Sequence, residues 1–173
     1  IHMEPKWQRI RFMPATPLGA DGAHVTGCEA HIALSRRAAA EGMVLLKNEN
    51  ETLPLKHGTR VAVFGKAQAD YVKGGGGSGD TTVAYVRSLA QGLRIKQGEG
   101  KIEVFEPLER FYAENVSAQF AADATSGKTR EPILSDELVK QARAFTDTAI
   151  LTICRFSGED YDRTGQPHDG DYF

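Results

Sequence analysis

Cysteine is scarce in this chain: Cys28 and Cys154 are the only two among 173 residues, and they stand far apart. They make no disulfide framework, and no cysteine pair sits at zinc-ligand spacing. The five histidines, His2, His24, His31, His57 and His168, form no close ligand pair. Long hydrophobic runs are missing too. None approaches the roughly 20 apolar residues of a membrane-spanning helix. Charge of one sign is also missing, with 21 Lys and Arg against 23 Asp and Glu and a formal net charge of −2. Nothing in that balance draws the whole chain to nucleic acid or to an anionic membrane surface. No Ser/His/Asp triad assembles by spacing. Gly127-Lys128-Thr129 ends like a phosphate-binding loop, but Ala122 occupies the place of its first glycine and a helix, not a strand, is expected before it.

What is present is an ordinary globular composition, 40% hydrophobic and 25% charged, with 18 glycines. The length suits one domain, at most two small ones. Ile1-His2-Met3 reads as two cloning residues ahead of an initiator methionine. No secretion signal follows, and the expected location is cytoplasmic. Pro5, Pro14, Pro17, Gly19 and Gly22 make residues 1–27 an irregular lead-in. Thr26 and Glu29 have capping-box spacing ahead of an Ala-rich helix over residues 30–42. The run 44–48 reads as a short strand or an extended arm.

From there the pattern alternates. Residues 61–65, 102–105 and 148–154 are short apolar runs of the kind that form buried parallel strands. Between them, helices are expected over 81–93, capped by Asp80 or Thr81, over 108–122, and over 136–145, capped by Ser135. Cys154 belongs to the third strand. This order predicts an α/β fold, with a mainly parallel sheet covered on both faces. Ligands in such sheets bind beyond the carboxyl ends of strands, so the loops 65–80, 106–109 and 155–173 are the places to look.

The first loop holds Gly74-Gly75-Gly76-Gly77-Ser78-Gly79, which formally matches a dinucleotide fingerprint. That fingerprint belongs directly after the strand, and here it begins nine residues past Gly65. The motif alone reads first as a flexible surface loop; a non-catalytic or dinucleotide-binding module using it, with Glu106 on the ribose, is the second choice for function. The last loop holds Ser157-Gly158-Glu159-Asp160-Tyr161-Asp162-Arg163. A solvated acidic loop explains it; so does a general acid/base carboxylate facing a pocket, its pKa raised by burial or by neighbouring negative charge.

Four segments together resemble glycoside hydrolase family 3, and within it the bacterial β-glucosidases. They are Arg37-Ala38-Ala39-Ala40-Glu41-Gly42-Met43-Val44-Leu45-Leu46-Lys47-Asn48 with Leu53-Pro54-Leu55, then Val61-Ala62-Val63-Phe64-Gly65, then Gly75-Gly76-Gly77-Ser78-Gly79, then Arg155 through Arg163 with Gly170-Asp171-Tyr172-Phe173. The resemblance implies that residues 28–173 are part of a three-layer α/β sandwich, incomplete in this fragment, which packs on a (β/α)8 barrel of the same polypeptide. It implies Glu159 as the acid/base, and Ser78 with neighbouring Gly77 beside the bound sugar. Asp162 and Arg163 would shape the loop. The nucleophilic aspartate would lie on the barrel, and the reaction would be retaining hydrolysis of β-glucosides or oligosaccharides. No metal or cofactor, no nucleic acid and no membrane enter that picture. The fragment alone is expected to be inactive, with an open sheet edge that favours self-association.

Overall fold

A computed structural model describes residues 20–22, 28–79, 85–154 and 156–159. The expected Thr26 cap, and Asp160, Asp162, Arg163 and His168, lie outside them. The chain divides into two units, 1–47 and 48–173. In the first, α1 (Glu29–Glu41) begins at Cys28 with no side-chain cap and ends at Gly42, whose N–H bonds the Ala38 carbonyl at 2.9 Å. No residue of this helix is buried. His31 stands exposed on it.

The second unit is the α/β domain. Its strands are β1 (Thr59–Phe64), β2 (Ile102–Val104) and β3 (Ala149–Leu151), all parallel, in the order β2-β1-β3. Its helices are α2 (Leu89–Gly98), α3 (Glu106–Ala121) and α4 (Asp136–Phe145). The period-2 alternation of β1 splits the core between two faces. Val61 and Val63 pack with Ile102 and Val104, and Leu93 of α2 covers them. Ala62 and Phe64 face the other way, onto Phe105, Leu108, Tyr112 and Ala142 of the α3–α4 side. Helices on both faces of a parallel sheet make the three-layer sandwich that the alternating pattern predicts. Burial pushes the Tyr112 phenol in the second core up to about 12, and Glu131 beside it acts in the same direction.

Two expectations change. The helix set at 81–93 begins instead at Leu89. Ser88 accepts the Gln91 N–H, the Gln91 side chain accepts the Ser88 N–H, and this capping box sets the start, with 85–88 non-helical. The third strand ends at Leu151, so Cys154 is a half-buried loop residue and not a strand residue. Ser135 caps α4 as expected, accepting from Leu138 N at 3.2 Å.

The strand order matters for function. After β1 the chain crosses through α2 to β2 on one side, then returns through α3 and α4 to β3 on the other. The loops leaving β1 and β3 therefore emerge beside each other at the point where the winding reverses. Open α/β sheets place their ligands at such switch points.

Candidate active site

Thr152 ties the two strand ends together. Its N–H bonds the Phe64 carbonyl at 2.8 Å, and its hydroxyl donates to the carbonyls of Phe64 and Gly65, both at 2.9 Å. Beyond this knot the β1 loop makes a 3₁₀ turn over Lys66–Gln68 and then runs out to the glycines. Gly76 and Gly158 form an isolated parallel bridge, with Gly76 N–H donating to the Ser157 carbonyl at 3.2 Å. The two loops are thus stitched together a few residues past their strands.

One step beyond the bridge, a 3₁₀ turn over Gly77–Gly79 presents Ser78 to Glu159. The Ser78 N–H donates to Glu159 Oε2 at 3.0 Å, and the Ser78 hydroxyl donates to Oε1. Gly77 lies against the same side chain. Its φ is 72°, and a Cβ built there would come 2.6 Å from Glu159 Cβ. Only glycine accepts both that conformation and that approach. The structure therefore brings together Glu159, Ser78 and Gly77, which the sequence placed in loops 81 residues apart.

The electrostatics differ from the expected ones. Glu159 is exposed, and the Ser78 hydroxyl, then the Ser78 N–H, hold its carboxyl below the ordinary value. Hydrogen bonds to the charged form outweigh the small cost of burial. The raised pKa expected of a pocket-bound acid is not a property of this chain by itself. A cleft of about 540 Å³ lies at the root of the two loops, between Tyr71, Lys73 and Gly75 on one side and Leu151, Thr152 and Phe156 on the other. Ser78 and Glu159 stand past its lining.

Among the described residues the glycine run does not open directly onto a helix, as a dinucleotide loop does. Its backbone is taken up by the bridge and the Ser78 turn, and the next described helix begins only at Leu89. Glu106 sits in the first turn of α3 and accepts from Gln97 at 3.3 Å. Among the described residues no group of three His, Cys, Asp or Glu could hold a metal ion.

Sequence reasoning missed Asp70. This buried carboxylate accepts hydrogen bonds from Ser126 Oγ at 2.9 Å, Gly127 N at 2.9 Å and Thr129 Oγ1 at 2.6 Å. The Ser-Gly-Lys-Thr run set aside as a phosphate loop does collect an anion, and that anion belongs to the chain itself. The dense donors were the only signal.

Comparison with known proteins places these features in a family setting. Residues 43–171 match the glycosyl hydrolase family 3 C-terminal domain. The chain is 50% identical over 158 residues to beta-glucosidase A of Butyrivibrio fibrisolvens, covering 91% of this chain and 19% of that protein. It is 39% identical over 132 residues to a beta-glucosidase of Ruminococcus albus, covering 72% of this chain and 13% of that one. Among solved structures it resembles beta-glucosidase 3B of Thermotoga neapolitana in complex with alpha-D-glucose, with a TM-score of 0.71 at 32% identity over 80% of this chain and 20% of the other. A beta-glucosidase from Paenibacillus barengoltzii gives a TM-score of 0.67 at 37% identity, over 82% and 15%. The chain spans a fifth or less of the length of each of these relatives.

Proposed function

Because the chain belongs to glycosyl hydrolase family 3, through that family's C-terminal domain, we propose that Glu159 is the acid/base carboxylate of a retaining β-glucosidase. The observation that carries this reading is the clasp of Glu159 by Ser78 at the point where the β1 and β3 loops meet. The nucleophile would be an aspartate on a barrel domain of the same polypeptide, and the substrates would be terminal β-linked glucosyl residues of glucosides or oligosaccharides.

In the first step the protonated Glu159 gives its proton to the glycosidic oxygen as the bond from that oxygen to C1 breaks. The nucleophile carboxylate bonds C1 as the alcohol leaves. In the second step the Glu159 carboxylate takes a proton from water, whose oxygen attacks C1 and releases the nucleophile. The Ser78 clasp favours the ionised form, so it suits the second step. For the first step the pKa must rise. An ionised nucleophile about 5–5.5 Å away supplies that push, and it is neutralised once the sugar is attached. Ser78 thus holds Glu159 at the edge of the sugar site, with Gly77 leaving room for it. The loop-shaping role expected of Asp162 and Arg163, three and four positions further along the sequence, belongs to the same proposal.

The test is Glu159→Gln in the full-length enzyme, assayed with one aryl β-glucoside bearing a good leaving group and one bearing a poor one. Loss of acid catalysis should cost about 10²–10⁴-fold on the poor leaving group, and far less on the good one. Equal losses on both, or none, would place the acid elsewhere.

A further inference from the structure

Resting on the reading of Glu159 as the acid/base, we propose that Asp70 is its positioning residue: the buried Asp70 carboxylate gathers Ser126, Gly127 and Thr129 into a seat for Phe156, and Phe156 sets where Glu159 stands.

Asp70 is 1% exposed. A carboxylate so buried is tolerated only when hydrogen-bonded. Both its oxygens are used. Oδ1 accepts from Ser126 Oγ and Gly127 N, and Oδ2 from Gly127 N and Thr129 Oγ1. Lys66, also buried, holds the same loop by donating its ammonium to the Thr129 carbonyl. Its backbone N–H donates to Glu131 Oε2 at 2.9 Å. One turn after β1, residues 66–70 thus grip a segment about 60 residues later in the chain, 56 to 59 residues for the Asp70 side-chain bonds.

The gripped loop touches the proposed catalytic segment at Phe156. A Cβ built at Gly127, where φ is 79°, would lie 2.8 Å from both Cβ and Cγ of Phe156. The backbone of Gly127 is therefore pressed flat onto that side chain. The far end of the ring meets Gly76, where a built Cβ would be 3.1 Å from Cζ. Phe156 is clamped between the Asp70-held loop and the glycine strand that pairs with Gly158. Glu159 lies three residues past Phe156 and directly after Gly158. A shift of the Phe156 seat therefore reaches Glu159 along three residues of chain and through the Gly76–Gly158 bridge. The polar knot holds Ser126, Gly127 and Thr129 against Phe156.

The experiment uses the full-length enzyme with Asp70→Asn and Thr129→Val, beside Glu159→Gln, on the same pair of aryl β-glucosides. Asn keeps the shape of Asp70 but sets an amide N–H against donors. Val keeps the shape of Thr129 and removes one donor. Asp70→Asn is expected to lower kcat/KM on the poor leaving group about tenfold or more beyond its effect on the good one, in kcat and not in KM. Thr129→Val should show the same pattern, smaller. Equal losses on both substrates accompanied by a lower melting temperature, or no loss, would overturn the positioning role. If Asp70→Asn does not fold, Thr129→Val decides by the same ratio. A Glu159→Gln enzyme without a leaving-group split would refute the acid/base reading itself. A split there, with none in the other two variants, would refute the role of Asp70 alone.

Discussion

Replacing Gly77 with alanine puts a methyl group where the Glu159 side chain already stands. The new Cβ would lie 2.6 Å from Glu159 Cβ and 2.7 Å from its Cδ. Carbon–carbon contact is comfortable only at about 3.5–4.0 Å, so one side must retreat by about 0.9 Å. The backbone resists as well. Gly77 has a φ of 72°, and an L-residue there costs about 1–2 kcal/mol. The clash is with Glu159 Cβ, which rotation of the exposed side chain cannot carry away, so Glu159 as a whole must shift against the Gly76–Gly158 bridge. It then leaves the Ser78 donors. A catalytic group misplaced by about 1 Å costs on the order of 10²-fold. In the full-length enzyme, Gly77→Ala should therefore lose about 10²-fold in kcat/KM on a poor leaving group, and much less on a good one. The assay is steady-state turnover of the two aryl β-glucosides, with thermal melting to confirm folding. A folded Gly77→Ala enzyme with wild-type rates on the poor leaving group would refute the role proposed for the contact between this turn and Glu159.

Two further outcomes follow from the same geometry. Ser78→Ala removes the larger of the two influences that depress the Glu159 pKa, so that pKa rises toward the ordinary carboxyl value. A general acid works only while protonated. The alkaline limb of kcat/KM should accordingly move to higher pH, and a limb that stays or moves to lower pH contradicts the clasp. Because the folded-state value is depressed, the clasp stabilises the fold above the ordinary carboxyl range and fades as pH falls through the depressed value. At the sheet, β3 has an open outer edge among the described residues, with Leu151 70% and Ile153 62% exposed nearby. The 173-residue chain should self-associate through this edge, and a strictly monomeric, cooperatively folding species in sedimentation velocity would disprove it.

Much of this was legible in the sequence because it is local. The run Val61-Ala62-Val63-Phe64 is apolar throughout, as a strand buried on both faces is, and its alternation with helical segments makes the sheet parallel. Ser135 announces α4 because a hydroxyl before a periodic segment satisfies an orphan amide. The start of α2 is not legible because Asp80 and Thr81 are as good caps on paper as Ser88, and only the reciprocal bonds of Ser88 and Gln91 show that the helix begins there. Glu159 and the glycine loop were each visible as candidates, since a carboxylate and an open backbone are properties of residue type.

What the sequence determined by itself is thus the α/β alternation, the two core faces of β1 and the two loops that hold the candidate residues. Only the tertiary structure decided that the loops meet. The order β2-β1-β3 sets the ends of β1 and β3 side by side, and the Gly76–Gly158 bridge then delivers Ser78 to Glu159 across 81 residues of chain. It also decided the sign of the Glu159 shift, because donors and solvent reach that carboxylate before any apolar wall does. Asp70 and its partners lie beyond any local pattern. A carboxylate and the hydroxyls that surround it are unrelated letters until folding removes the water that would otherwise satisfy both.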